Sequence, residues 1–210
     1  YATDTRRIDD AVGDILQLLK DLKIDENTIV VFTSDNGPSK ESYLANEPID
    51  PTFFKSFGPF DGIKRDCLEG GVRMPTLALW PGHIPAGNKI ETPSISYDWM
   101  PTFTQMAGLP APAITDGVSL LPSLLGKGTQ PESNIYIEYF QAGKTPDYDD
   151  FIPEHQGRAR NQMQLVRFGN YVGLRYDIKS HNDHFEIYDV LQDPQQTHNL
   201  ADDPKLATLQ

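Results

Sequence analysis

Apolar residues return at helical spacing near the start of the chain: Ile8, Val12, Ile15, Leu16, Leu19 and Leu22. Asp9, Asp10, Asp14, Gln17, Lys20 and Asp21 take the opposite side. This spacing predicts an amphipathic helix whose apolar face needs a partner layer. Lys20 and Lys23 fall in its last turns, where cations meet the negative end of the helix dipole. Residues 28–33 then read Thr-Ile-Val-Val-Phe-Thr, short, β-branched and apolar on both faces. That pattern predicts a central strand covered on both sides. A helix leading into such a strand is the α/β signature.

Residues 38–60 contain Pro38, Pro48, Pro51 and Pro59 and no period, so they predict a long irregular loop. Its aromatics (Tyr43, Phe53, Phe54, Phe57 and Phe60) favour an ordered one. Residues 76–80 predict a second apolar strand. Ser96 or Asp98 can cap a helix running to Ala107, with Pro101 in its first turn and Gly108 at its end. Residues 109–130, rich in Pro and Gly, predict a surface linker. From Asn134 the pattern changes to short strand candidates at 135–140, 164–168, 171–176 and 185–188. Phe168-Gly169-Asn170-Tyr171 predicts a tight hairpin. Residues 141–161 read as a polar loop, and 204–210 as a short helix. The expected architecture is α/β over 1–125, then a small antiparallel sheet subdomain with a short helix over 126–210.

Charge narrows the function classes. With 18 basic against 30 acidic residues the net charge is -12, and no basic stripe is present to displace phosphate counterions. Nucleic acid is excluded as a partner on that ground. No apolar run approaches the ~20 residues of a membrane span. The one cysteine, Cys67, allows no intrachain disulfide. The chain begins at a helix without Met, as a fragment or a processed product would. None of the five histidines (His83, His155, His181, His184 and His198) has zinc-like spacing with cysteine.

Two constellations could carry chemistry. Ser34-Asp35-Asn36-Gly37 follows the first strand, where open α/β sheets place their ligands. A carboxylate beside an amide oxygen suits Ca²⁺ or Mg²⁺ rather than zinc. The same tetrapeptide also suits an ordinary Asx turn closed by glycine. Gly62-Ile63-Lys64 precedes Glu69-Gly70-Gly71-Val72-Arg73-Met74-Pro75. Paired glycines permit close backbone approach, and Lys64 could present a point charge to an oxyanion. By itself this stretch equally fits a solvated lysine and a turn before a strand.

In this order, the motifs resemble the sulfatase family, the formylglycine-dependent branch of the alkaline-phosphatase-like hydrolases. The resemblance continues through Trp80-Pro-Gly-His-Ile-Pro-Ala-Gly87, Asp98-Trp-Met-Pro-Thr102 and Asp116-Gly-Val-Ser-Leu120. It ends with Val166-Arg-Phe-Gly-Asn-Tyr171, Glu186-Ile-Tyr-Asp189, Asp193-Pro194 and Asn199-Leu200. It implies that Asp35 and Asn36 are two ligands of a Ca²⁺ ion and that Lys64 contacts the sulfate. Gly70, Gly71 and Arg73 would hold the Lys64 loop. A cation and a lysine would offset the repulsion between a nucleophile and an anionic ester.

The family's nucleophile, formylglycine made within a C/S-x-P-x-R motif, has no match here, since Cys67 is followed by Leu-Glu-Gly-Gly. Cys67 is expected as a packed residue beside the Lys64 loop. The nucleophile and the remaining metal ligands are expected in an N-terminal sulfatase segment, so this stretch alone is expected to be inactive. Val172 and Gln196 depart from the family's usual lysine and glutamate, and neither is expected to touch the site.

The resemblance implies a sulfated small molecule or glycan as substrate and a periplasmic, secreted or lysosomal setting. His155 and Arg158, in the polar loop, are expected to line a substrate cleft. Exposed sheet edges predict self-association or marginal stability. Two alternatives stand beside this reading. One is a phosphatase or phosphonate hydrolase of the same superfamily, disfavoured because Asn36 stands where two-metal relatives tend to place histidine. The other is a non-catalytic binding domain derived from a sulfatase.

Overall fold

The computed structural model describes residues 2–40 and 49–210. Tyr43 and Pro48, named above in the long loop, lie outside the described residues. Two compact units interleave along the chain: residues 1–33 with 75–133, and 34–74 with 134–210. Spatial grouping therefore does not follow linear order, and 34–74 groups with the C-terminal sheet.

In the first unit, helix α1 spans Ala2–Asp21. Lys23 takes a left-handed φ of 58°, and the Ile24 N–H donates to Leu19 O at 3.1 Å. These are the marks of a Schellman stop, with lysine in glycine's usual place. No residue of α1 is buried; Ile15, Leu18 and Leu22 are all more than half exposed. Strand β1 (Val30–Thr33) pairs antiparallel with β2 (Thr76–Leu79). The two-sided cover predicted for the first strand is not found among the described residues. Phe32, Leu77 and Leu79 are exposed, and β1 and β2 form a two-stranded sheet.

Helix α3 (Trp99–Met106) follows a 3₁₀ turn at Ser96–Asp98 and ends at Gly108, whose φ is +68°. Asp98 does more than cap. Fully buried, its carboxylate accepts from Ile95 N and Val118 N, both at 2.9 Å, and from Ser133 Oγ at 2.6 Å. Thr102 Oγ1 donates to Asp98 O and accepts from Leu120 N. The Asp-x-x-Pro-Thr motif thus ties 116–120 and Ser133 to the helix start. The stretch expected as a bare linker contains a further helix, α4 (Leu121–Leu125), with Pro122 in its first turn and Leu124 buried.

The second unit is built on a four-stranded antiparallel sheet, β3 (Ile135–Lys144), β4 (Ala159–Phe168), β5 (Tyr171–Arg175) and β6 (Glu186–Asp189), in that order. Met163, Leu165, Val172 and Leu174 alternate onto one face and are essentially inaccessible. That period of two sets the register. The β4–β5 hairpin pairs Phe168 with Tyr171. Gly169 carries the positive φ of 56° that a turn of the II′ kind requires at its first central position. The predicted polar loop 141–161 is shorter than expected, since β3 and β4 extend into it at both ends across a bulge between Phe140 and Gly143. The expected short helix at the end is a 3₁₀ turn, Pro204–Leu206.

Candidate active site

The Asp35-Asn36 turn is fixed by its own backbone. Ser34 Oγ donates to Asn36 O at 3.1 Å, and Asn36 Nδ2 donates to Gly37 O at 2.7 Å. Gly37 N then donates to Gly71 O at 2.9 Å. The approach is so close that a Cβ on Gly37 would stand 1.9 Å from Gly70 O. One residue later, Lys64 N donates to Pro38 O at 2.8 Å. Two backbone hydrogen bonds therefore staple the strand-end turn to the segment carrying Lys64. Asp35, Asn36 and Lys64, far apart in sequence, are brought to one place in the same unit. Asp35 is exposed, while Asn36 and Lys64 are half-buried.

Lys64 sits at the corner of a tight turn. Asp66 N donates to Ile63 O at 2.8 Å, and Arg65 has φ +81°. A positive φ at the third position is the type II pattern. The turn is held from behind by buried carboxylates and a short helix, α2 (Glu69–Val72). Asp61 accepts from Ile152 N, His155 Nδ1 and Gln195 Nε2 at 2.8–2.9 Å, and its carbonyl accepts from Gly70 N. Asp66 accepts from Ile63 N at 2.9 Å and Thr145 Oγ1 at 2.7 Å, with Arg160 in an ion pair at 3.4 Å. Glu69 pairs with Arg73, and Arg167 stands 4.0 Å away. Cys67 N donates to Tyr176 OH at 3.0 Å. Phe57, Ile63, Tyr148 and Phe151 form an apolar cluster beside the turn. Immobilising the lysine's backbone in this way favours a fixed cation, since little reorganisation is needed when charge develops.

Burial sets the electrostatics of this loop. Burial first, and then Asp66, pushes the Cys67 thiol up to about 12. It is therefore a neutral packed group with no thiolate at physiological pH. Burial also raises the Asp66 carboxyl, against the lowering effect of the Ile63 N–H, Thr145 and Arg160.

His155 and Arg158 are placed differently from Asp35, Asn36 and Lys64. His155 is 1% exposed and its Nδ1 is bonded to Asp61, so it braces the back of the Lys64 loop. Arg158 makes two bonds to Glu186, at 3.0 and 2.6 Å, and its guanidinium lies 4.0 Å over the Tyr176 ring. Both line a cavity of about 380 Å³ with Glu186, Tyr188, Gln196 and Asn199.

Gln196 contacts Glu69 behind the Lys64 loop, its Oε1 accepting from Glu69 N at 2.9 Å. The clamp of Asp61, Asp66, Glu69, Thr145, Gln195 and Gln196 was missed by sequence reasoning. Asp61, Asp66 and Glu69 stand within five residues of Lys64, and the apolar residues between them were the only local signal that they turn inward.

The donors present fit a hard cation in kind. Asn36 commits its amide nitrogen to Gly37 O, which leaves the amide oxygen as the acceptor beside the Asp35 carboxylate. Among the described residues no cluster of three His, Cys, Asp or Glu forms. Two oxygens are part of the six to eight that Ca²⁺ takes.

A sulfatase family profile matches residues 1–109, and the profile for the C-terminal part of N-sulphoglucosamine sulphohydrolase matches 56–210. The chain belongs to the sulfatase family. It is 44% identical over 128 residues to N-acetylgalactosamine-6-sulfatase of Canis lupus familiaris, covering 60% of this chain and 23% of that protein. It is 40% identical over 176 residues to human arylsulfatase A, covering 81% and 29%. The chain thus spans about a quarter of the length of these relatives.

Among solved structures, one determined with its substrate D-glucosamine-2-N,6-O-disulfate matches at TM-score 0.64 and 23% identity, over 98% of this chain and 36% of that one. A phosphonate monoester hydrolase from Silicibacter pomeroyi matches at TM-score 0.60 and 21% identity, over 96% and 36%. The fold is therefore shared by enzymes of both kinds and does not separate them. No described helix is long and apolar enough to cross a membrane.

Proposed function

We propose that this chain is part of a calcium-dependent sulfuric ester hydrolase acting on a sulfated carbohydrate or aryl sulfate in a periplasmic, secreted or lysosomal setting. Asp35 and Asn36 supply two oxygens to Ca²⁺, and Lys64 faces the sulfate. The carrying observation is the backbone stapling of the Asp35-Asn36 turn to the Lys64 turn through Gly37–Gly71 and Pro38–Lys64. Membership of the sulfatase family supports the reaction class. The names of relatives, N-acetylgalactosamine-6-sulfatase and arylsulfatase A, support the two substrate classes.

The ion supplies positive charge near the ester oxygens when bound. Lys64 adds a second, fixed positive charge, held by a turn whose buried carboxylates leave it little freedom. It steadies the negative charge that grows on sulfate oxygens or on the departing alkoxide. Asn36, by pinning its amide to Gly37, keeps its oxygen oriented toward the cation. Arg158 and His155, which line one cavity, shape the wall on the substrate side. The 210 residues contain no C/S-x-P-x-R motif, so on their own they are without activity.

The test is an assay of the complete gene product on matched sulfate, phosphate and phosphonate monoesters, with and without a calcium chelator. Sulfate hydrolysis should dominate, vanish with the chelator and return with Ca²⁺. Lys64→Ala should lower kcat by about 10²–10³, the scale of losing one preorganised charge-stabilising group. Preference for phosphonate esters would overturn the reading in favour of the related hydrolase.

A further inference from the structure

We infer that Arg65 is a specificity-determining cation that receives a second anionic substituent, sulfate or carboxylate, on the molecule whose ester sulfate faces Lys64. The inference rests on the function proposed above. Lys64 and Arg65 are the two corner residues of the turn closed by the Asp66 N–H to Ile63 O bond. Ile63 and Asp66, which flank them, are buried, whereas Lys64 is half-buried and Arg65 exposed. The turn therefore pushes two consecutive cations outward from a rigid base.

The conformation of Arg65 is the second observation. At φ +81° it occupies the position of a type II turn where glycine or asparagine is usual. An L side chain there costs stability, because its Cβ crowds the following carbonyl. Among the described residues, Arg65 makes no hydrogen bond, ion pair or ring contact that would return that cost. A strained residue that contributes nothing to its own turn points to a use outside it.

Charge supplies the third argument. The chain carries a net charge of -12, yet two cations are adjacent here. Consecutive Cα atoms are about 3.8 Å apart. Two cationic side chains leaving neighbouring backbone positions can act on one ligand together. A guanidinium binds sulfate or carboxylate through paired N–H donors, which an ammonium cannot do.

The experiment uses the complete protein and three substrates. They are a neutral sugar carrying one sulfate, the same sugar carrying two, and a monosulfated disaccharide with a uronate carboxylate. Arg65→Gly removes the charge and relieves the positive φ, so its melting temperature should not fall. Its kcat/KM should drop at least tenfold more on a dianionic substrate than on the monosulfated one, mainly through KM. Arg65→Lys should recover part of that difference. Whichever dianionic substrate shows the larger loss identifies the second anion. An equal loss on all three substrates, or none on any, would overturn the inference while leaving sulfatase activity standing. A wild-type protein that cleaves no sulfate ester would remove the parent reading first, and this inference with it.

Discussion

Gly37 is the residue on which the proposed site's geometry turns. Its missing Cβ lets the strand-end turn lie against Gly70, whereas a Cβ on Gly70 or Gly71 would stand 2.3–2.6 Å from the carbonyl oxygens of Asp61, Gly62, Ile63 and Asp66. Gly37→Ala should destabilise the complete protein by about 1–3 kcal/mol, the usual cost of overpacking. It should also weaken calcium binding, because Asp35 and Asn36 ride on the displaced turn. A thermal melt with a parallel calcium titration checks both effects.

Cys67 makes a separate prediction. Its thiol rises from an ordinary value of 9.0 to about 12 in the folded state. The raised value means that its stabilisation is complete below pH 9 and is lost as pH climbs toward 12. Cys67→Ala should therefore flatten the alkaline limb of the stability profile. In the wild type, iodoacetamide should react at pH 8 only after unfolding. The roles proposed for Asp35, Asn36 and Lys64 could be stated from sequence because ordered motifs carry them. The inward turn of Asp61, Asp66 and Glu69 could not, because their partners lie some 80–130 residues away in sequence.

At the scale of elements, helix α1 and strands β1, β2 and β4–β6 were legible because periodicity and turn residues agree with the tertiary fold. The α4 helix was not, since five residues that include Pro122 and stop before Gly126 carry too little period to register. The extension of β3 and β4 was also missed. Their added residues, such as Gln141 and Asn161, are polar and are paired by the ladder rather than by propensity. The expectation of two-sided burial for β1 rested on composition, which describes what a strand suits rather than what covers it in a given chain.

Asp98 shows how a short motif can be structural. Asp98→Ala would orphan the Ile95 and Val118 N–H groups and the Ser133 hydroxyl. It should cost about 3 kcal/mol, given the usual 1–3 kcal/mol for each unsatisfied buried group and partial rescue by water. Thermal melts of the complete protein would measure this loss. Activity per folded molecule should be retained.

At the scale of the whole molecule, apolar surface and chemistry point the same way. Ile15, Leu18, Leu22, Phe32, Leu77 and Leu79 are exposed. Exposed apolar side chains of this size favour association. The 210-residue chain alone should therefore self-associate in light scattering. Leu18→Glu with Leu22→Glu should reduce that association, and a monodisperse monomer of high melting temperature would count against it. Calcium affinity of the isolated chain should be weak, because two oxygens replace little of a hydration shell.

A calcium titration of the complete protein, wild type beside Asp35→Ala, tests the central claim most directly. If the oxygen-rich corner after β1 holds the ion, the wild type should bind one Ca²⁺ per chain. Asp35→Ala should then lower the affinity at least a hundredfold with the fold retained. Equal affinity and stoichiometry in the two proteins would contradict the account.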